Sequence, residues 1–378
     1  MGGALENIRV ADFSRVLAGP FATMVLGDLG AEVTKIERPG SGDETRSWGP
    51  PYDAGGTATY FQSVNRNKQS VAIDLQTEAG RKQAEELATT SDVLVENFRP
   101  GLMDSLGLGY DALRERNPGL IYCSITGFGP QAPELPGYDL LVQALGGLMS
   151  ITGAPDGPPY KVGVALVDVL TGQFATAGIL AALVHRQATG EGQRIDVDLM
   201  SSLLAALVNQ SAAYTAAGVV PHRMGNQHPS IAPYEVLACG EGDLVLAVGN
   251  DRQFASLCVV LGVPELSDDS RFATNSDRVA NRSALVNRLE AALAAAAAST
   301  WSDRLTDARV PAGVVNDIGQ AFRFAERIGL EPTVMLTTDE GNAIKLPRNP
   351  IRLSATPATY RSAPPTPPPG DAPPAPGR

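Results

Sequence analysis

Short apolar runs alternate with longer stretches of helical period through the first half of the chain. Ile8-Arg-Val-Ala-Asp-Phe13 predicts a buried strand, Gly19-Pro20 punctuates, Phe21–Leu29 predicts a helix and Gly30–Glu37 a second strand. Together they make a βαβ unit, which implies a parallel sheet covered by helices. Strands at Ser70–Leu75, Asp92–Glu96 and Gly119–Ile125 continue the pattern, with helices at Thr77–Ala88 and Asp111–Arg116 between them. Helical patterns then cover Phe174–Gln187 and the Ala-rich Leu199–Ala216. A polar, Gly-punctuated stretch, Arg223–Ser230, leads to strands at Tyr234–Ala238 and Leu244–Val248 and helices at Gln253–Leu261 and Arg282–Ala298. The run Ala291–Ala298 is read as helix because Ala has the best helix propensity and Leu285, Leu289 and Leu293 recur every four residues. Val314-Val-Asn316 begins a return segment, with a late strand at Ala343–Pro347. The fold class is therefore α/β: an open α/β domain over 1–200, a smaller α+β domain over 225–315, and a disordered tail over 363–378, which holds eight prolines.

Composition narrows the function classes. A chain of 378 residues, 43% hydrophobic, favours two domains with sizeable cores. A net charge of −11 and a pI near 4.9 argue against a nucleic-acid partner. No long apolar span is free of polar interruption, so no membrane-crossing helix is expected. The start lacks the pattern of a signal peptide, and Glu6 stands where a myristoylation motif needs Ser or Thr. Cys123, Cys239 and Cys258 lie far apart, which implies reduced thiols and a cytoplasmic location. His185, His222 and His228 form no cluster with metal-ligand spacing, so a metal-independent mechanism is expected.

Asp168 is the only charged residue between Lys161 and His185. An apolar run delivers it and a helical pattern follows, so its carboxylate must find partners, and the N–H groups of a helix start are suitable. Locally the helix N-cap is the favoured reading. A nucleophile in a dry pocket is the alternative. Ala18-Gly19-Pro20 lacks the G-x-G-x-x-G spacing of a dinucleotide loop, and Pro20 removes an N–H. Three polar loops near strand ends suit one elongated phosphate-bearing ligand: Glu37–Arg46 with Arg38 and Arg46, Asn65-Arg-Asn-Lys68, and Val95–Gly101 with Arg99. For each, a solvated loop with local ion pairs is the plainer alternative. Cys123 lies in a buried-strand pattern and is read as structural.

Taken together, Arg15-Val-Leu-Ala-Gly-Pro20, Ile36-Glu-Arg-Pro-Gly-Ser-Gly-Asp43, Asn65-Arg-Asn-Lys68, Val95-Glu-Asn-Phe98, Gly137-Tyr-Asp139, Gly163-Val-Ala with Asp168, Gly225-Asn226, Ala232-Pro-Tyr234 and Val310-Pro-Ala312 resemble class III CoA-transferases. This is the formyl-CoA and carnitine CoA-transferase family, which also contains α-methylacyl-CoA racemase. The resemblance spans roughly residues 5–355. Thr45-Arg-Ser-Trp-Gly-Pro-Pro51 and Ile121-Tyr-Cys-Ser-Ile-Thr-Gly127 resemble its succinyl-CoA:glutarate (hydroxymethylglutarate) branch.

The resemblance implies a Rossmann-like large domain built from both chain ends, 1–200 plus 320–360, and a homodimer of interlocked rings. It also implies acyl-CoA and carboxylic acid substrates, with CoA thioester as substrate and no separate cofactor. By position the family's nucleophile falls on Asp168. Arg38 would bind CoA phosphate, and Ile73, Asn97, Phe98 and Tyr138 would line the CoA cleft. The family's arginine after Asn-Phe aligns with Ser105, so Arg99 is the substitute. Oxyanion donors would come from Gly146 and Gly147 or from the helix start at Asp168. Arg15 and His228 are candidates for a dicarboxylate's distal group, with surface or packing roles as the alternative. Leu17 stands where formyl-CoA transferases carry Gln, and the glycine-rich lid of the small domain is not visible, which counts against oxalate and formate. A racemase needs two acid–base groups about the α-carbon, and Tyr138, ordinarily titrating near 10, is a poor replacement for the racemase His. The expected activity is CoA transfer between carboxylic acids. A racemase and a non-catalytic CoA-binding module are the alternatives.

Overall fold

The computed structural model describes residues 2–367. They form two compact units, one of residues 2–148, 161–219 and 331–367, the other of residues 149–160 and 220–330.

The first unit is built on six parallel strands: β1 (Arg9–Asp12), β2 (Glu32–Glu37), β3 (Lys68–Ala72), β4 (Val93–Glu96), β5 (Ile121–Thr126) and β6 (Arg194–Asp198), in the order β3-β2-β1-β4-β5-β6. Register is fixed by pairs such as Val10 with Val33 and Val10 with Val93. Successive residues of one strand feed opposite faces. Val10, Val33 and Ile121 pack with the helices Ala18–Asp28 and Leu166–Thr189. Ala11, Ile36 and Tyr122 pack on the other side with Ala84 and Ala88 of the helix Glu78–Thr90. Burial on both faces is why these strands read as continuous apolar runs. The chain leaves β1 towards β3 on one side and resumes at β4 on the other, so a switch point lies between β1 and β4. Ligands bind at the carboxyl ends of such strands.

The second unit holds β7 (Tyr234–Ala238), β8 (Asp243–Ala247) and β9 (Ala312–Val314) as an antiparallel sheet. Its core includes Phe254, Leu257, Leu285, Leu289, Trp301 and Leu305. The strands β10 (Thr333–Thr337) and β11 (Ala343–Pro347) return to the first unit as an antiparallel pair.

Several expectations need correction. The helix expected over Arg282–Ala298 ends at Leu293, and a new one runs Ala298–Asp307. The break has a tertiary cause: the Gly240 N–H donates to the Ala296 carbonyl, and a Cβ on Gly240 would stand 2.6 Å from the Ala294 carbonyl oxygen. Docking of the β7–β8 turn therefore overrides alanine's propensity. The stretch Leu199–Ala216 is two helices, Leu199–Ala206 and Val208–Ala217. Val314 pairs within the second unit rather than starting the return, which begins at Glu331.

The tail expected from residue 363 is seated up to Thr366. Ala363 is buried with Leu336, Ile344 and Leu346, Arg361 donates to the carbonyls of Gly27, Gly30 and Ala31, and Arg46 reaches those of Pro365 and Thr366. Residues 368–378 of that tail lie outside the described residues. By length and composition alone the helix Leu166–Thr189 could cross a membrane, although Asp168, Gln173 and His185 interrupt it. Its buried side, from Val167 to Leu183, packs into the core of the first unit.

Candidate functional site

The switch point is tied together by one side chain. The Asn97 carbonyl oxygen accepts from the Arg15 N–H (2.8 Å), and its amide donates back to the Arg15 carbonyl (2.7 Å). The loops after β1 and β4 are thus fixed to each other, and both polar ends of Asn97 are occupied. Arg15 pairs with Glu44 (3.1 Å) and lies 5.0 Å from the Phe98 ring centroid.

Two cavities meet at Arg15 and Phe98. One, of about 240 Å³, lies over the ends of β2 and β3 and is lined by Phe13, Lys35, Arg38, Ile73 and Leu102. Arg38 is exposed there and Ile73 is buried. The other, of about 320 Å³, is lined by Asn97, Arg99, Gly127, Tyr138, Asp139 and Asp168. Eight of the expected residues, Arg15, Arg38, Ile73, Asn97, Phe98, Arg99, Tyr138 and Asp168, therefore line one of two adjoining hollows.

Asp168 lies in the first turn of the helix Leu166–Thr189, but the cap reading does not hold. The N-cap residue is Ala165, which offers no side-chain bond. Cap duty falls to Asp139 from another helix. Its Oδ1 accepts from the Val167 N–H (2.8 Å) and, more loosely, from the Asp168 N–H (3.4 Å). The Leu166 N–H goes to the Val164 carbonyl and that of Val169 to Ala165. The helix start is thus saturated, and no hydrogen bond from the described residues reaches the Asp168 carboxylate. Burial, with the neighbouring Asp139 charge, pushes its pKa up to about 7. Tyr60 is pushed up to about 12 by burial and by the carboxylates of Asp168, Asp139 and Asp43.

Other expected residues fall elsewhere. The Gly146 N–H donates to the Val142 carbonyl at 2.8 Å, and a Cβ there would meet Leu203 at 2.5 Å. Gly146 is a close-packed helix end, and neither it nor Gly147 lines the cavity. His228 belongs to the second unit, where its Nδ1 accepts from the Ser230 N–H (3.1 Å) and its ring packs against Tyr234. Two of the three phosphate-suited loops are internal ties. Arg46 forks onto Glu37 (2.7 and 2.8 Å) and stacks on Phe61. Arg66 forks onto Asp28 (2.6 and 2.8 Å), and Lys68 pairs with Asp12 (3.0 Å). Of those basic groups, Arg38 and Arg99 still face open cavities. Burial raises the Cys123 thiol's pKa, as suits a structural cysteine.

Sequence reasoning missed Asp139, Gln143 and Glu96. Asp139 opens the helix Asp139–Leu145, so an acidic first turn was visible, but not its reach to position 167. Glu96, pushed up to about 7 by burial, lines a further cavity with Tyr122 and Arg194. Among the described residues no group of three His, Cys, Asp or Glu side chains converges as a metal site would.

The chain is similar to known proteins along most of its length. A succinate–glutarate CoA-transferase from Agrobacterium fabrum is 44% identical over 368 residues, covering 94% of this chain and 91% of the relative. The succinyl-CoA:glutarate CoA-transferase of Mus musculus is 46% identical over 324 residues, covering 85% and 74%. The crystal structure of a CAIB/BAIF family protein from Brucella suis superposes with a TM-score of 0.86 at 42% identity over 97% of each chain. The model of CoA-transferase family III matches residues 5–368, and the chain belongs to that family.

Proposed function

We propose that this enzyme moves CoA from succinyl-CoA to a second dicarboxylate, with Asp168 as the nucleophile. One observation carries the reading: the unbonded Asp168 carboxylate faces a cavity that adjoins, at Arg15 and Phe98, a second cavity bearing Arg38. A CoA thioester has that shape, with phosphates at one end and a reactive carbonyl at the other. The names of the Agrobacterium and mouse relatives support succinate and glutarate as the acid pair.

In the cycle, the Asp168 carboxylate attacks the thioester carbonyl and the C–S bond breaks, leaving a mixed anhydride and CoA thiolate. The thiolate attacks the aspartyl carbonyl, freeing succinate and forming an aspartyl-CoA thioester. The acceptor carboxylate attacks that carbonyl and displaces the thiolate again, giving a second anhydride. Attack of the thiolate on the acceptor's acyl carbonyl yields the new thioester and restores Asp168. The steps balance without ATP, metal or cofactor. Water must be excluded, because it would hydrolyse either anhydride. Arg38 would hold CoA phosphate, Ile73, Phe98 and Tyr138 would flank the ligand, and Arg99 or Arg15 would meet a distal carboxylate. Family resemblance adds a homodimer of interlocked rings, and the odd, widely spaced cysteines favour the cytoplasm.

Incubation with succinyl-CoA and hydroxylamine tests the assignment. The expected product is a hydroxamate at Asp168, seen by peptide mass spectrometry. Turnover with an unmodified Asp168 would sink it.

A further inference from the structure

We propose that Asp139, braced by Gln143, is the positioning residue of the nucleophile, holding the turn that carries Asp168 so that its carboxylate stays free to face the cavity. The inference rests on Asp168 being the nucleophile.

The segment entering the helix Leu166–Thr189 is apolar, and Ala165 supplies no cap. Without a partner the N–H groups of the first turn would be unsatisfied, and they would attract a first-turn carboxylate such as Asp168. Asp139 removes that option by occupying the Val167 and Asp168 N–H groups. Its other oxygen, Oδ2, accepts from Gln143 Nε2 at 2.6 Å, and Gln143 Oε1 accepts from the Val162 N–H at 2.9 Å. Gln143 is fully buried. Both ends of the segment 162–168 are therefore pinned to one helix, Asp139–Leu145.

The relay has a fixed polarity. Backbone donors stand at each end, so position 139 must accept twice, and a carboxylate does so where an amide cannot. The same carboxylate sets a like charge beside Asp168. The other titratable and charged groups about Asp168 are Tyr60 from the helix Thr59–Ser63 and, lining the cavity, Arg15, Glu44, Arg99, Glu134 and Tyr138.

D139N places an amide donor against the Gln143 donor. Q143E in the same chain reverses the relay: the D139N amide then donates, and both backbone N–H groups keep an acceptor. The charge moves one side chain away from Asp168. Hydroxylamine trapping at Asp168 with succinyl-CoA is measured against pH, alongside thermal melts. D139N should trap about 10–100-fold more slowly. The D139N/Q143E pair should return to within about 3-fold of the parent and melt with it. Its acid limb should lie lower by up to about one pH unit, because the like charge is more distant. A double variant no faster than D139N, one that melts with D139N, or an unmoved acid limb overturns the relay. No adduct in the parent protein would instead remove the nucleophile reading, and this inference with it.

Discussion

As the proposed nucleophile, Asp168 must be ionised to attack, yet burial and Asp139 hold its pKa up at about 7. The trapping rate with succinyl-CoA should therefore fall about tenfold per pH unit below 7 and level off above it; a rate flat down to pH 5 would contradict this. The same shift has a stability sign. A folded pKa raised from 3.8 means that the favourable contribution is complete below the unfolded value and lost as pH rises through about 7. D168N should thus melt higher than the parent at pH 8, with a smaller gain at pH 5, while losing roughly 10⁴-fold or more of its transfer rate. Stability sacrificed for reactivity is an expected property of a catalytic carboxylate, and it separates Asp168 from a cap, whose removal would destabilise the helix.

Between elements, the strand ends that carry the site are held by buried charge. Asp12 on β1 pairs with Lys68 on β3 at 3.0 Å, and Lys35 on β2 pairs with Asp43 at 2.9 Å, all four buried. Burial pushes the Asp12 carboxyl up, but Lys68 and Lys35 outweigh it and leave its pKa below the ordinary value of 3.8. K68M strands that carboxylate and should cost about 3–5 kcal/mol at pH 7, read from a urea midpoint at unchanged slope. The deficit should begin to shrink above about pH 4, where the variant's folded Asp12, without Lys68, takes up a proton before its unfolded form does, and shrink further below that, where the parent loses the Asp12 contribution. A deficit independent of pH would mean lost packing rather than lost pairing. None of this was visible in Asn65-Arg-Asn-Lys68, which looks like a phosphate loop because Arg and Lys carry the same signature whether they face solvent or a buried Asp. The strands β1, β2, β4 and β5 were legible, since two buried faces leave unbroken apolar runs. Thr77 likewise foretold its helix: its hydroxyl caps the Gly80 N–H at 3.0 Å. The break at Ala294 and the reach of Asp139 to Val167 were not legible, because each depends on a partner far along the chain.

At the scale of the whole molecule, a chain of net charge −11 must bind a polyanion, the phosphates of CoA. Long-range repulsion opposes the encounter, and local cations must outweigh it. Since Arg46 and Arg66 are consumed by Glu37 and Asp28, the cavity proposed for the nucleotide would depend on Arg38. Salt screens the two effects differently. The diffuse repulsion acts over many ångströms and fades once the Debye length falls to about 10 Å near 0.1 M, while the contact pair weakens more gradually. R38A retains only the repulsion, so its kcat/KM for succinyl-CoA should start well below the parent's and rise with added salt. The parent's advantage should narrow as salt increases, with kcat changed less than KM because the phosphates lie far from the reacting carbonyl. Steady-state rates of both proteins between about 0.02 and about 0.5 M salt settle the point: an R38A deficit that persists undiminished, or one that falls on kcat alone, would place the phosphates somewhere other than the cavity beneath Arg38.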